Sequence, residues 1–389
     1  MRIGISALYR SNGGSLTNLV QLLHEWHDTG ELSRHEIVIF ASPWTALGLE
    51  RALRAEVIAA VRTVVIGKHD HGLLSRLWFE QYVLVRQLAA HGVDVLFCPA
   101  NVVPFATTTP TVVTFQNAAP FCESITPRTV GLGLWLTFKL LGVLIGLSAR
   151  RATRVIFISQ YFRELCRERF GVPPEKGVVI YRACEPGALS HEARDVVMLR
   201  HGIGGRYYLT VSHIWPYKNV IELIQGFALA LEPRSGQPFQ LVIAGRVFTP
   251  DYERRIHQAL AALGDVAPSI RLLGGVSHDQ VVALLKHAEA FVFSSTCENC
   301  PTALMEALAA ELPVACSNVG VMPEIGADAA IYFDPFSPRD IAASLARLMD
   351  DAALRADLRQ RAAERVKGFP NRREVAEATL RTIVATGSA

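Results

Sequence analysis

No charge of either sign dominates this chain: 39 Lys and Arg stand against 36 Asp and Glu, a net of +3 over 389 residues. Totals so balanced carry no electrostatic footprint for nucleic acid, and no such partner is expected. Cysteine is sparse, seven residues without paired spacing, which excludes a disulfide scaffold and points to reduced thiols in a cytosol. The one C-x-x-C, Cys297 to Cys300, has no second pair to complete a zinc site; packing is its expected role and redox chemistry the lesser reading. Neither a G-x-G-x-x-G dinucleotide fingerprint nor a G-x4-G-K-[S/T] phosphate loop occurs. No repeat of solenoid length is visible. The opening MRIGISALY enters strand-like sequence without the charged region, apolar core and cleavage site of a signal peptide, so a cytoplasmic location is the expectation.

What the chain does have is apolar residues, half of the total, enough at this length for two cores. Residues 3–8 read as a buried strand, followed by Ser-Asn-Gly-Gly-Ser at 11–15 and an amphipathic run over 16–26. Strand, glycine turn and helix let backbone N–H groups approach a phosphate. Gly13 and Gly14 are therefore candidates, with a plain tight turn as the competing reading. Short apolar strands recur at 36–40, 62–66, 93–97, 111–115, 154–158 and 177–181, with helical stretches such as 77–91 and 160–170 between them. That alternation predicts a parallel sheet covered on both faces. Ligands in such sheets bind beyond the carboxyl ends of the strands, where Gln116 and Asn117 follow the strand at 111–115. Neither amide can act as a base at neutral pH, so both are candidates for hydrogen bonding alone.

Residues 130–148, VGLGLWLTFKLLGVLIGLS, are apolar on every helical face apart from Lys139 and a few small residues, with Arg150, Arg151 and Arg154 just beyond. The run approaches transmembrane length, but it lies between strands of one sheet, which a bilayer crossing would split. A buried helix competes with a helix that dips into a membrane surface beside its cations; the latter would be a peripheral membrane contact through 130–154. Residues 182–205 break the strand pattern and read as the link between domains. A second α/β series follows, with strands at 207–211, 239–244, 269–273, 289–293, 314–316 and 330–333 and closing helices near 339–349, 353–367 and 373–385. Its first strand runs into Val-Ser-His-Ile-Trp-Pro-Tyr-Lys-Asn over 211–219. Lys218, past that strand end, is a point charge suited to phosphate, against the blander reading of a solvated lysine after a turn.

The stretch FSSTCENCPTALMEALAAELPVACSNVGVMPE, 293–324, reads as a strand end, a polar loop, a short helix from about 301 to 310, and another strand. Pro301 suits a first helical position, where its missing N–H costs nothing, and the free N–H groups behind it suit an anion. Glu298 and Glu306 bracket this site with seven residues between them. Alone, such acids could be a general acid and base, a metal site, or two surface carboxylates.

Their flanks, Glu-Asn-Cys-Pro-x3-Met-Glu-Ala-x3-Glu-Leu-Pro-Val and then Ser-Asn-x-Gly-x-x-Pro-Glu, resemble the E-x7-E region of the retaining family-4 glycosyltransferases of GT-B fold. The resemblance implies that Glu298 lies by the donor sugar, with Asn299, Cys300, Pro301 and Thr302 beside it, and that Glu306 binds the nucleotide ribose. The family commonly has Gly where this chain has Glu311, which bears on the turn before Leu312. The 211–219 stretch resembles the family's G-R-L-x3-K-G element, whose Arg and Lys clamp the diphosphate. Lys218 matches the Lys, and His213 stands where the Arg usually does. A neutral imidazole donates one hydrogen bond rather than a guanidinium fork. Either His213 is protonated or another cation substitutes, and Arg246 is the nearest in sequence. The family's Gly-Gly turn faces the donor phosphates, which favours Gly13 and Gly14; Gln116 and Asn117 stand where it often carries a polar pair.

The resemblance is strongest over 207–335. It implies an α/β protein of GT-B architecture: two facing doubly wound Rossmann-like domains, an interdomain cleft, and a C-terminal helix crossing back to the first domain. The expected boundaries are 1–185 with 373–389 for the acceptor-side domain and 206–370 for the donor domain. The implied reaction moves a sugar from a nucleotide-sugar donor to a sugar or lipid-linked sugar acceptor with retention of configuration, in polysaccharide, lipopolysaccharide or glycolipid assembly. Glu298, Lys218 and His213 would carry the chemistry, with no metal or other cofactor expected. A sugar-nucleotide epimerase of the same fold and a non-catalytic nucleotide-sugar-binding protein are the alternatives.

Overall fold

The computed structural model describes residues 1–9, 14–67, 73–185, 192–234, 236 and 239–388. It divides into two compact units, each built on one parallel sheet. The first unit is Met1–Pro120, Leu136–Ala183 and Pro370–Ala389. Its strands are β1 (Arg2–Ala7), β2 (Glu36–Ala41), β3 (Val61–Val65), β4 (Val95–Cys98), β5 (Thr111–Phe115), β6 (Arg154–Phe157) and β7 (Gly177–Val179). They lie in the order β3-β2-β1-β4-β5-β6-β7. β4 and β5 are buried along their whole length, as runs of Val, Leu and Phe must be when helices cover both faces.

The C-terminal helix Arg372–Gly387 belongs to this first unit, as the resemblance implies. Asn371 caps it in a reciprocal box with Glu374, which satisfies two backbone donors that a helix start leaves unpaired. Trp26 Nε1 then donates to the Ala376 carbonyl at 3.0 Å. Ala376, Leu380 and Ile383 pack into one core with Ile3, Ile5 and Val95.

The second unit is Phe121–Trp135 and Cys184–Phe369. Its strands are β8 (Arg206–Val211), β9 (Phe239–Ala244), β10 (Ile270–Gly274), β11 (Ala290–Phe293), β12 (Val314–Ser317) and β13 (Ala330–Phe333), in the order β10-β9-β8-β11-β12-β13. The chain steps outward from β8 through β9 to β10, then restarts at β11 on the other flank of β8. The topological switch point, where ligands of such sheets bind, lies between β8 and β11. One expectation needs correcting. Residues 121–135 read as part of the first domain, but they group with the second unit because Cys122 and Ser124 bond to the loop after β11.

The turn that follows the Thr302–Ala309 helix explains why its last position commonly holds glycine. Glu311 has φ 55°, the left-handed region that costs an L-residue about 1–2 kcal/mol. Its N–H donates to Leu308 O at 2.9 Å, and Leu312 N–H to Ala307 O at 3.1 Å, the paired bonds of a Schellman stop. Replacing Glu311 with Gly keeps both bonds and relieves the strain. It should stabilise the second unit by about 0.5–1 kcal/mol net of glycine's larger unfolded-state entropy, measurable as a shift in the urea midpoint at unchanged slope.

The oily segment forms a helix, Leu132–Arg151, in the connection between β5 and β6. Gly142, Leu144, Ile145, Gly146, Ser148 and Ala149 are buried. Gly146 sits so close to the Phe170 ring that an added Cβ would come within 2.6 Å of it. A fully buried helix is therefore not what forms: one face packs, while Leu132, Leu136, Leu140, Val143 and Leu147 stay exposed.

Candidate functional site

At the switch point of the second unit, the loops leaving β8 and β11 are laced together. Ser212 N–H donates to Ala244 O at 3.0 Å, and Ile214 exchanges backbone bonds with Arg246 and Phe248. These contacts tie the β8 loop to the β9 loop. Their approach requires glycine at 245, where φ is 152° and a Cβ would lie 1.7 Å from the Ser212 carbonyl oxygen. On the other side, Thr296 N–H donates to Tyr217 O at 2.8 Å. Ser294 Oγ donates to Lys218 O at 2.7 Å.

A single helical turn, Pro216–Lys218, ends at Asn219 with φ 50°, a conformation that asparagine tolerates better than most residues. Asn219 Nδ2 is anchored on Pro335 O at 3.1 Å, which fixes where Lys218 points. Its ammonium forms a hydrogen-bonded ion pair with Glu298 Oε1, and the two side chains are only 11% and 16% exposed. The ammonium also lies 5.4 Å from the ring centroids of both Tyr217 and Phe293. The structure thus brings together the cation and the acid that the sequence singled out 80 positions apart.

The Glu298 loop is held from an unforeseen direction. Cys122 and Cys297 form a disulfide with Cα atoms 5.7 Å apart. Thr296 Oγ1 donates to Ser124 Oγ at 2.9 Å beside it. The expectation of reduced thiols fails for these two cysteines, because residues 175 positions apart become neighbours only through the fold. Cys300, the other half of the C-x-x-C, is a buried free thiol 3.5 Å from Met305 Sδ. Burial pushes the Cys184 thiol up to about 12, so it is not a nucleophile at neutral pH.

Pro301 corrects a second expectation. It is the N-cap of the Thr302–Ala309 helix, with extended ψ of 91°, rather than its first helical residue. Its carbonyl accepts the first intrahelical bond, from Met305 N–H at 3.1 Å. Asn299 and Cys300 are buried and Thr302 is exposed. Glu306, on the next turn, is half-buried, and among the described residues no donor bonds to its carboxylate. Burial raises its pKa, opposed by the charge of His278. A carboxylate desolvated without a protein partner is poised to accept hydrogen bonds from a ligand.

His213 lies with its ring edge-on to Phe248, 5.2 Å between centroids. Desolvation, and then the Lys218 charge, lower its pKa. Both effects favour the neutral imidazole, which donates one hydrogen bond. Arg246 shares the Phe248 ring, with its guanidinium 5.8 Å from the centroid. Sequence reading missed the aromatic shelf here: Trp215 stacks on Phe248 at 5.2 Å and lies parallel to Tyr217 at 6.4 Å. The only signal was three aromatic residues close behind two strand ends, without periodicity.

In the first unit, Gln116 is absorbed by its neighbours. Its Oε1 accepts from Ser15 Oγ at 2.9 Å and from Arg182 at 3.2 Å, while Nε2 donates to Pro99 O at 2.7 Å. Its backbone N–H and that of Asn117 both donate to Asn101 Oδ1. Asn117 Oδ1 accepts from Ala119 N–H at 2.9 Å. Gly13 lies outside the described residues; Gly14 is the first residue of the Gly14–Asp28 helix, at the carboxyl end of β1.

Two parallel-sheet units, one with an ion pair and an unpartnered acid at its switch point, define an α/β protein of GT-B type. Residues 12–187 match the family profile described as Glycosyltransferase Family 4, and residues 200–365 match Glycosyl transferases group 1. Together the matches place the chain in the group 1 glycosyltransferase family.

Relatives agree. An O-antigen chain mannosyltransferase B of Escherichia coli is 26% identical over 222 residues, 56% of this chain and 57% of its own length. An O-antigen chain mannosyltransferase RfbU of Salmonella typhimurium is 23% identical over 192 residues, 49% and 50% of the two chains. The chain thus spans about half the length of the curated relatives it matches. Among solved structures, Anabaena HepE in complex with UDP and glucose superposes with TM-score 0.73 at 18% identity, over 99% of this chain and 100% of that one. WaaG, a glycosyltransferase involved in lipopolysaccharide biosynthesis, gives 0.71 at 16%, over 98% and 99%.

Proposed function

We propose that this chain transfers a sugar, with retention of configuration and without a metal, from a nucleotide-sugar donor to a sugar or lipid-linked sugar acceptor. The setting is surface polysaccharide or lipopolysaccharide assembly at the cytoplasmic face of a membrane. The single observation that carries the reading is the Lys218–Glu298 pair on the switch point, with the unpartnered Glu306 on the helix that follows. Glu306 accepts hydrogen bonds from the ribose, and Glu298 with the 299–302 amides holds the sugar. Lys218 and Arg246 offset charge on the departing diphosphate, and neutral His213 adds one hydrogen bond. The acceptor is met by the first unit near Gln116 and Asn117. The O-antigen relatives and the UDP complex of a structural neighbour support the donor and acceptor classes.

The test is a thermal-shift panel of UDP, GDP, ADP and CMP with their sugar conjugates, on wild type and Glu306→Ala. A ligand specific for the folded state adds about 2.7 kcal/mol at a hundred times its Kd. One nucleotide should stabilise wild type, and lose about tenfold or more in affinity on Glu306→Ala, the cost of a charged hydrogen bond. Because the ionised form accepts these bonds and its pKa is raised, the shift should fade as pH falls, beginning above the usual carboxylate range. Slow donor hydrolysis, unchanged by EDTA, accompanies binding. No shift with any nucleotide overturns the reading, and interconversion of two sugar nucleotides would make the enzyme an epimerase.

A further inference from the structure

We propose that the exposed face of the Leu132–Arg151 helix is a docking surface for an anionic lipid bilayer, with the helix lying in the interface rather than crossing it. At 100° per residue, Leu132, Leu136, Lys139, Leu140, Val143, Leu147, Arg150 and Arg151 fall within one arc of about 120°. The five apolar members are 37–62% exposed, and the three cations are exposed as well. The opposite arc holds the buried residues Leu144, Ile145, Gly146, Ser148 and Ala149. The helix contains no Asp or Glu.

Two arginines on this face bond backbone oxygens. Arg150 donates to Phe170 O, and Arg151 to Phe105 O and Thr107 O. These acceptors are carbonyls, and no carboxylate among the described residues pairs with either arginine. The loop that holds Arg151 also meets the helical segment on its far side, where Gln81 bonds Val103 O and Phe105 N–H. Flanking Gln81, Trp78 and Tyr82 stack at 4.4 Å, each 57% exposed. Exposed Trp and Tyr, linked through that loop to an apolar, cation-edged helix, have the composition that settles at the headgroup level.

The occupant follows from charge and topology. A stripe bearing cations and no acid is not complementary to a second copy of itself, whereas anionic headgroups neutralise it. The helix joins β5 to β6, which pair side by side, and its packed face holds it there. It has the length and hydropathy to span, yet 33% of its most apolar window is buried inside the fold.

The experiment is vesicle flotation of the whole chain with phosphatidylcholine alone and with phosphatidylcholine mixed with phosphatidylglycerol. Wild type should float with the anionic vesicles and more weakly with the neutral ones, and salt should reduce the binding. A Leu136→Ser, Val143→Ser, Leu147→Ser variant, altered only at exposed positions, should partition about tenfold less or lower still. Lys139→Glu with Arg150→Glu should abolish the preference for anionic lipid. Equal flotation of wild type and triple-serine variant, or none by wild type, overturns the proposal. So does a wild-type dimer in sedimentation that the serine variant loses, which would assign the stripe to a second copy. No stripe residue belongs to the donor site, so the nucleotide thermal shift should be the same in both proteins. Failure of docking and failure of the transferase reading are thereby separable.

Discussion

Lys218→Ala should lower turnover about 10²- to 10³-fold, the loss measured elsewhere when one preorganised transition-state donor is removed. The ammonium is held before any substrate arrives. Asn219 anchors the turn on Pro335 O, Ser294 Oγ bonds the Lys218 carbonyl, and the side chain is mostly buried between Tyr217, Phe293 and Glu298. Charge accumulates on the diphosphate as the sugar bond breaks, so the deficit should fall mainly on kcat rather than KM. The variant also leaves Glu298 without its cation in a poorly solvated place. The second unit should lose stability relative to wild type, because a mostly buried charge is left without its partner. Lys218→Arg keeps the charge but must fit a planar fork into the same slot, and should recover only part of the rate. Steady-state kinetics alongside a melting curve separate the two effects. A kcat within a few-fold of wild type in a folded Lys218→Ala protein would remove Lys218 from the chemistry.

Breaking the Cys122–Cys297 bond should be the most destabilising single covalent change in the second unit. The bond closes a loop of 175 positions, for which loop-closure entropy gives about 5 kcal/mol and measured native disulfides about 2–5. Cys122→Ser or a dithiol reductant should therefore lower the unfolding free energy of that unit by about 2–5 kcal/mol. Cys300→Ser, which leaves the bond intact, should do much less. The effect reaches function because Cys297 adjoins Glu298. A loosened loop should raise the donor's KM through the cost of re-ordering it on binding. Thiol titration of the unfolded, unreduced protein should find five thiols, the five free cysteines. Finding all seven would refute the pairing.

Much of the fold was legible because its signals are local. Strands such as 111–115 are short apolar runs that only a sheet covered on both sides can bury, and the structure has β5 over those same residues, fully buried. Lys218 and Glu298 were legible for a related reason. Each lies in the loop past an apolar strand, where a doubly wound sheet meets its ligand, and the resemblance of its flanks singled out Glu298. What escaped was set by distance. The aromatic shelf of Trp215, Tyr217 and Phe248 draws on two separate strand ends, and nothing in either stretch announces the other. The disulfide escaped because its half-cystines sit in different parts of the chain, and spacing says nothing about pairs that only tertiary packing brings together.

Backbone and periodic chemistry thus carried this chain to two parallel α/β units and a cation past a strand end of the second, while the returning C-terminal helix and the role of Glu298 came from the family resemblance. Side-chain pattern, hydrogen-bonding capacity and turn preference act over a few residues, so they can be read from a string. Tertiary structure alone decided that residues 121–135 go with the second unit, that Cys297 bonds Cys122 rather than remaining a thiol, that burial works against a charged His213, and that the oily helix shows one face to solvent. Each depends on which groups become neighbours across tens to hundreds of positions, and on how much water that packing excludes.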